Sequence, residues 1–237
     1  MLIVKSTAYT ADYRVLNAIN SWERFASDII LFGIESVEAA QTSPKAMAVT
    51  VERNEALTPL VSDMFNFVPV SSEAIHIFAN SDIMLFFVIA ALAKVEDLDI
   101  GDSWLMVGQR KDMDIQERID FEHLDLLELC EVAAHYPYLP PCGADYFIWR
   151  NVDWFHMPPF AVGRLSYDNW IIYDALKRHV PIIDATRVIL AIHQNHPERE
   201  GVRTCPEARE NFRLAKESYP EWTAWNGWIN HATYRLE

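Results

Sequence analysis

The residues best suited to chemistry follow a short apolar run. Ile75 to Ala79 is rich in β-branched and aromatic side chains, which is typical of a buried strand. Asn80, Ser81 and Asp82 come next, before a second apolar run. A carboxylate at the tip of an apolar strand is costly unless it is paired, hydrogen-bonded or bound to a cation. We therefore expect Asn80 and Asp82 to bind a divalent metal. On the tripeptide alone, a polar turn that caps the next helix is the better interpretation.

Two histidines follow another apolar run. His193 and His196 stand three residues apart in the segment His-Gln-Asn-His. Two imidazoles at this spacing are suited to bind a metal or a phosphate. They are not the helical His-Glu-x-x-His of a zinc protease, because no Glu follows His193. Taken alone, a polar loop with one hydrogen-bonded histidine is the simpler interpretation.

A further carboxylate, Asp168, lies among aromatic residues. It precedes a predicted helix, so one interpretation is that it caps that helix. Partial burial beside Tyr167 and Trp170 would raise the pKa of Asp168. A general base needs a pKa near the working pH, so Asp168 also fits a base that takes the proton of an attacking hydroxyl. A third interpretation is a hydrogen bond to sugar hydroxyls.

Two polar loops complete the set of candidates. In the first, Arg110 suits a phosphate or sugar contact, and Asp112 and Asp114 suit a hydroxyl-rich ligand. A solvated charged loop is the plain alternative there. In the second, Asn54 and Thr58 suit contacts to a base or ribose. The plain alternative is a loop that leads into a helix.

The elements that would position these residues alternate between strand and helix. Strands are predicted at 2–4, 28–33, 46–51, 75–79, 83–87, 104–108, 145–149, 181–184 and 188–192. Helices are predicted at 12–25, 60–67, 90–94, 121–134 and 169–178, and loops at 109–114 and 137–142. Such alternation predicts an α/β fold with a mixed, mostly parallel sheet and helices on both faces. Ligands bind such sheets at the carboxyl ends of the strands.

Composition limits the classes of partner. The chain has 237 residues, and we expect one domain with halves at about 1–107 and 108–237. A formal net charge of −14 argues against binding to nucleic acid or to anionic membrane surfaces. The three cysteines form no Cys-x-x-Cys motif. We expect no signal peptide and no transmembrane segment, since the longest uncharged apolar run, Ile83 to Ala93, is too short to span a bilayer. A soluble, cytoplasmic protein is the expectation.

In this order, the polar segments resemble those of the GT-A class of nucleotide-diphospho-sugar transferases. More narrowly, they look like a family of glycosyltransferase-like proteins of bacteria, plants and viruses. The likeness rests on segments 16–22, 54–60, 79–83, 105–114, 157–170 and 193–196. It covers roughly residues 2–196. The first half would then bind a nucleotide sugar on a GT-A-like, Rossmann-type sheet, and the second half would bind the acceptor.

The resemblance implies a glycosyltransferase that moves a sugar from a nucleoside-diphosphate sugar to a hydroxyl of a glycan or other acceptor, assisted by Mn²⁺ or Mg²⁺. It assigns Asn80-Ser81-Asp82 to the metal motif Asp-x-Asp, with Asn in the first position. It also suggests His193 or His196 as a ligand of the metal or the diphosphate. The expected donor-binding residues are Thr7, Asn54, Thr58, Asn80, Ser81, Asp82 and Arg110. The expected acceptor-binding residues are Asp112, Asp114, Tyr167, Asn169 and Trp170, with Asp168 as catalytic base if the reaction inverts.

Two alternatives remain open. A non-catalytic scaffold with the same fold would bind a nucleotide sugar or glycan, and Asn80 in the metal motif favours it. A sugar-1-phosphate nucleotidyltransferase ranks lower, because residues 6–11 contain no glycine and no basic residue. Three tryptophans near the C-terminus, Trp222, Trp225 and Trp228, would stack on an acceptor sugar or belong to the core or an interface.

Overall fold

The computed structural model describes residues 1–67, 74–197 and 202–237. Within these ranges the chain forms eleven strands and seven α-helices. The strands are β1 (Leu2–Thr7), β2 (Asp28–Phe32), β3 (Ala46–Val49), β4 (Ile75–Ala79), β5 (Ile83–Phe86), β6 (Trp104–Val107), β7 (Lys111–Met113), β8 (Tyr146–Arg150), β9 (Ile182–Asp184), β10 (Leu190–Gln194) and β11 (Tyr234–Arg235). The helices are α1 (Tyr13–Glu23), α2 (Val37–Ala40), α3 (Val61–Asn66), α4 (Val88–Glu96), α5 (Leu126–Ala134), α6 (Tyr167–Lys177) and α7 (Pro206–Ser218).

Eight of the described strands form the main sheet, in the order β11-β9-β6-β8-β4-β1-β2-β3. Neighbouring strands pair in parallel except at β8, which runs antiparallel to both β4 and β6. The N-terminal end of β8 therefore lies at the same edge as the carboxyl ends of β4 and β6. A second sheet within the same ranges has the order β5-β10-β7. The predicted α/β class with a mostly parallel sheet is confirmed.

Helices cover both faces of the main sheet, because strand residues alternate between two apolar cores. On one face, Ile3 and Phe78 pack in a core with residues of α3, α6 and α7. On the other face, Val4 and Ile77 pack with residues of α1, α2 and α4. This two-sided burial explains why the central strands read as continuous apolar runs.

Helix α1 shows how the sequence fixes one of these contacts. Asp12 caps the helix by accepting hydrogen bonds from the backbone N–H groups of Arg14 and Val15, at 3.0 and 3.3 Å. The buried face of the helix includes Val15, Ala18, Ile19 and Trp22, at helical spacing. The indole N–H of Trp22 donates to the Ile83 carbonyl at 3.1 Å. Helix α1 is thereby fastened to the start of β5.

Several sequence-based predictions of local structure were wrong or incomplete, and two of them bear on the site. The predicted loop at 109–114 contains strand β7, which pairs in parallel with β10. Helix α7 was not predicted, because its fully buried residues are Ala208, Asn211 and Ala215, and none of these is a large apolar residue. None of the described helices has the length and apolar character needed to cross a bilayer.

Candidate active site

The turn Asn80-Ser81-Asp82 lies where the chain passes from the main sheet to the small sheet. Strand β4 ends at Ala79 in the main sheet, and β5 begins at Ile83 in the small sheet. The backbone carbonyl of Asp82 accepts a hydrogen bond from Gln194, the last residue of β10, at 3.2 Å. The turn after β4 is thus joined to the end of β10, which contains His193 and is followed two residues later by His196.

Asp82, His193 and His196 converge on one point. Each offers a ligand atom, and these atoms lie within 4.8 Å of one another. The Asp82 carboxylate oxygen Oδ2 is 3.0 Å from Nε2 of His196 and 3.5 Å from Nε2 of His193. The other oxygen, Oδ1, is buried and has no hydrogen-bond partner in the described part of the chain. A buried carboxylate oxygen left without a partner is costly, so this atom fits a metal ligand.

The second nitrogen of each imidazole is already occupied. Nδ1 of His193 lies 2.9 Å from Oδ1 of Asp112, and Nδ1 of His196 lies 3.0 Å from the Pro197 carbonyl oxygen. A carboxylate and a carbonyl only accept, so both Nδ1 atoms carry the proton. Both Nε2 atoms then face Asp82. Metal-binding histidines show this arrangement, in which a carboxylate or carbonyl fixes the tautomer and the ring orientation.

The Asp82 carboxylate interacts electrostatically with the two histidines. Burial favours a raised pKa for Asp82, but hydrogen bonds and charges from His193 and His196 outweigh it and hold the pKa below its usual value. The hydrogen bond to Asp82 raises the pKa of His196. Without a metal, the group thus favours an ionised carboxylate beside a protonated His196. A divalent cation would replace that proton.

Two buried amides position this group. The side-chain nitrogen of Gln194 donates to the carbonyls of Arg14 and Asp82 at 2.8 and 3.2 Å. Its oxygen accepts from the Asn17 amide at 2.8 Å. Asn17 and Gln194 are fully buried, so helix α1, the Asp82 turn and the end of β10 are held as one unit.

Arg110 lies between two carboxylates. It forms ion pairs with Asp112 at 3.0 Å and with Asp145 at 2.5 Å. Asp145 also accepts from the Asn80 amide at 2.8 Å, and the Asn80 oxygen lies 3.4 Å from the Tyr167 hydroxyl. The polar atoms of Asn80 are therefore engaged in positioning contacts. Burial raises the pKa of Asp145, although Arg110 opposes that shift.

Asp168 lies in the first turn of α6, beside the loop that leads into β8. Burial is the largest cause that raises the pKa of Asp168, to about 7, with the charge of Asp145 adding to it. Backbone N–H groups, among them those of Ala144 and Asn169, hydrogen-bond to the carboxylate and oppose the shift. Ser166, immediately before α6, has a φ of +89°, which is rare for a residue with a side chain.

A cleft of about 400 Å³ opens beside the Asp82 turn. It is lined by five of the seven expected donor-binding residues and by His196. Those five are Thr7, Thr58, Asn80, Ser81 and Asp82. Asn54 lies outside the lining, where its amide donates to Glu207 at 2.9 Å, and Glu207 pairs with Arg164 of the cleft wall at 2.7 Å. Arg110, the seventh, is also outside the lining, held by its two carboxylates.

The expected acceptor-binding residues are more scattered. Asp112 pairs with Arg110 and His193, whereas Asp114 is exposed and hydrogen-bonds Gln116. Tyr167 is buried beside Asn80. The structure brings neither Asn169 nor Trp170 to the surface: Asn169 holds the Cys142 and Gly227 carbonyls, and Trp170 packs on Phe160 in the core.

Sequence reasoning missed four polar residues at or beside the site: Asn17, Asp145, Gln194 and Glu207. Asp145 comes just before an antiparallel strand, so it reaches the ligand-binding edge from the opposite direction to the parallel strands. Glu207 lies in the unpredicted helix α7. Asn17 and Gln194 lie within segments 16–22 and 193–196, on which the family resemblance rests. That position is the sequence feature that could have identified them.

Comparisons with known proteins found similar solved structures at low identity. No family model matches the chain, and no curated protein matches it. One solved structure that it resembles is TarS of S. aureus, residues 1–349, with 12% identity and a TM-score of 0.33 over 50% of this chain and 38% of TarS. Another is a candidate glucose-1-phosphate thymidylyltransferase of Bacillus anthracis in complex with a sucrose, with 11% identity and a TM-score of 0.44 over 95% of this chain and 98% of that one. At these scores the two likenesses establish nothing about function.

Proposed function

We propose that this chain is a glycosyltransferase, which binds a nucleoside-diphosphate sugar with the help of a divalent metal and transfers the sugar to a hydroxyl acceptor. The observation that supports this most is the convergence of Asp82, His193 and His196 at the edge of the cleft. Both histidines already have their Nδ1 protons committed, and Oδ1 of Asp82 has no hydrogen-bond partner in the described ranges. A cation there would lie beside the residues expected to bind the donor.

The donor set fits a divalent metal. A carboxylate and two imidazoles would hold it. Of the two ions expected from the sequence, Mg²⁺ prefers an all-oxygen shell, which favours Mn²⁺ as the ion to test. When bound, the metal supplies positive charge to the diphosphate leaving group. The chain needs such a charge, because Arg110 is already paired with Asp112 and Asp145.

The protein's own groups have separable roles in the proposal. Thr7, Thr58 and Ser81 line the cleft and offer hydroxyls to the nucleotide sugar. Arg164, oriented by its ion pair with Glu207, lines the same cleft and offers guanidinium N–H groups to the nucleotide sugar. Asn169 and Trp170 hold the start of α6 in place, since both are buried.

Asp168 is the proposed catalytic base. A pKa of about 7 leaves a large part of the carboxyl ionised at neutral pH and able to accept a proton. The acceptor oxygen forms a bond to the anomeric carbon while the bond from that carbon to the phosphate oxygen breaks. The electron pair leaves with the nucleoside diphosphate, and the acceptor proton passes to Asp168. This assignment applies to an inverting reaction.

The test is thermal unfolding of the protein with a panel of nucleotide sugars, each with and without Mn²⁺. A ligand that binds only the folded state raises the unfolding midpoint. We expect one nucleotide family to raise it only when Mn²⁺ is present, and Asp82→Asn to abolish that shift. Asp99→Asn is the matched control, because Asp99 is exposed and remote in the sequence from the site residues.

Three other results would count against the proposal. A donor shift that is independent of metal would show that donor binding does not require the cation. A shift that survives Asp82→Asn would show that donor binding does not require the Asp82 carboxylate. Tight donor binding with no release of nucleoside diphosphate, with or without an acceptor, would favour a non-catalytic scaffold.

A further inference from the structure

Two tryptophans near the C-terminus form an exposed aromatic pair. Trp225 has 73% of its surface exposed, and Trp228 is half-buried. Their ring centroids are 5.4 Å apart, and the ring planes meet at 48°. The indole N–H of Trp228 donates to the Ala224 carbonyl at 2.6 Å, which fixes that ring. Two adjacent rings at the surface, unlike a single exposed side chain, form a continuous apolar surface, so the pair fits a binding site.

Gly227 fastens the pair to the start of α6. A Cβ atom at Gly227 would lie 1.9 Å from the Asn169 carbonyl oxygen, so only glycine allows this close approach. The Asn169 side chain donates to the Gly227 carbonyl at 3.1 Å and to the Cys142 carbonyl at 2.8 Å. One buried amide therefore bridges the tryptophan segment and the loop before β8.

The same loop contacts the candidate base. Gly143 follows Cys142, and a Cβ atom there would lie 3.7 Å from Oδ2 of Asp168. Ile229 N–H also donates to the Pro141 carbonyl at 2.9 Å. Asp168, the 141–143 loop and the tryptophan segment thus meet around Asn169. The segment that carries the aromatic pair is thus held against the start of α6, whose first turn contains the carboxylate to which an acceptor hydroxyl would transfer its proton.

We infer that Trp225 and Trp228 form a platform for a neutral sugar ring of the acceptor. The inference rests on the proposed function and names its acceptor class, a glycan. The C–H face of a pyranose is apolar and packs on an indole, while its hydroxyls remain at the rim for hydrogen bonds. A chain of net charge −14 disfavours uronate or sulfated sugars.

The test measures quenching of tryptophan fluorescence by neutral oligosaccharides: maltohexaose, cellohexaose, xylohexaose, mannohexaose and chitohexaose. A hexagalacturonate is the anionic comparison. We expect at least one neutral oligosaccharide to quench the fluorescence with a saturable curve. Trp225→Ala should raise the dissociation constant from that curve about tenfold, as the loss of one stacked ring face predicts. Trp225→Phe should restore most of the affinity.

The matched control is Phe155→Ala. Phe155 is 81% exposed, and it belongs to the segment in which the Asp153 carbonyl accepts from Arg178, just beyond the far end of α6. This variant should bind the oligosaccharide as the unaltered protein does. The Mn²⁺-dependent shift with nucleotide sugar should be unchanged in Trp225→Ala, so failure of the platform and failure of the donor site give different results.

Several results would overturn the platform. One is the absence of quenching by every neutral oligosaccharide at millimolar concentration. Another is equal weakening in Phe155→Ala and Trp225→Ala. A third is a change in oligomeric state in Trp225→Ala without any effect on oligosaccharide binding, which would identify the pair as a contact between copies of the chain.

Discussion

Asp112 and His193 stand directly opposite each other on the paired strands β7 and β10, with Oδ1 and Nδ1 2.9 Å apart. The strand register therefore fixes the orientation of the imidazole. The same carboxylate oxygen accepts from Arg110 at 3.0 Å, so its position is fixed from two sides. Nε2 of His193 is left to face Asp82.

The first prediction concerns Asp112→Asn. The amide is a weaker acceptor for the Nδ1–H of His193, so the imidazole is a poorer metal ligand. We expect Mn²⁺ affinity, measured by calorimetry, to fall about 10- to 100-fold, the usual effect of losing such a partner. Asp114→Asn, two residues away and exposed, is the control and should bind Mn²⁺ normally. Equal affinities in both variants would rule out the supporting role of Asp112.

Sequence patterns accounted for most of the sheet, because its central strands are buried on both faces and are apolar throughout. They did not give the direction of β8, since apolar content is the same for either direction. Asp145 was missed for that reason. Strand β7 was missed because three residues are too few to show a period of two, and its Lys111 and Asp112 are charged.

The candidate site was only partly visible in the sequence. Asp82 and the two histidines are separated by more than 100 residues, and spacing along the chain does not report their convergence. The structure adds the contacts that orient these side chains. They are the hydrogen-bond partners of the two Nδ1 atoms and the amide pair of Asn17 and Gln194. Asn80 had been expected to bind metal, and its side chain instead contacts Asp145 and Tyr167.

The second prediction concerns Asp145→Ala. It removes one ion-pair partner of Arg110 and the acceptor of the Asn80 amide, both in a largely buried setting. We expect the free energy of unfolding to fall by roughly 2–3 kcal/mol, measured by urea denaturation in the presence of a chelator. Glu210→Ala breaks an ion pair whose two side chains are 51% exposed, and should cost less than about 1 kcal/mol. A smaller loss for Asp145→Ala than for Glu210→Ala would contradict the buried network.

The third prediction follows from the raised pKa of Asp168. The proposed base must be ionised, so transfer activity should rise with pH and level off above about pH 7. Asp168→Asn should abolish transfer and leave the Mn²⁺-dependent donor shift in place. An unchanged pH profile, or full activity in Asp168→Asn, would exclude Asp168 as the base.

The raised pKa of Asp168 also affects stability: activity should rise with pH, whereas the contribution of this carboxyl to the free energy of unfolding should fall. The folded state holds the proton more tightly than the unfolded chain, in which the pKa is near its usual 3.8. This group's contribution therefore declines as pH rises from about 4 through about 7. Relative to the unaltered protein, Asp168→Asn should gain stability between pH 5 and pH 8.5, by roughly 1–2 kcal/mol after solvent screening. Denaturant unfolding of both proteins at pH 5 and pH 8.5 measures this gain. If the stability of Asp168→Asn relative to the unaltered protein falls as pH rises, the pKa of Asp168 is not raised by folding.

The fourth prediction compares Gly227, whose carbonyl accepts from the Asn169 amide, with Gly143, which follows the other acceptor, Cys142. Gly227→Ala places a methyl group 1.9 Å from the Asn169 carbonyl oxygen, so backbone must move, and we expect a loss of about 1–3 kcal/mol in the free energy of unfolding. Gly143→Ala places its methyl group 3.7 Å from Asp168, an ordinary contact, and should cost less than about 1 kcal/mol. Because the displaced backbone carries Trp225 and Trp228, Gly227→Ala should also weaken oligosaccharide quenching, whereas Gly143→Ala should not. Equal stability of the two variants would show that Gly227 is not packed against α6, and the attachment of the tryptophan segment to the start of α6 would fail with it.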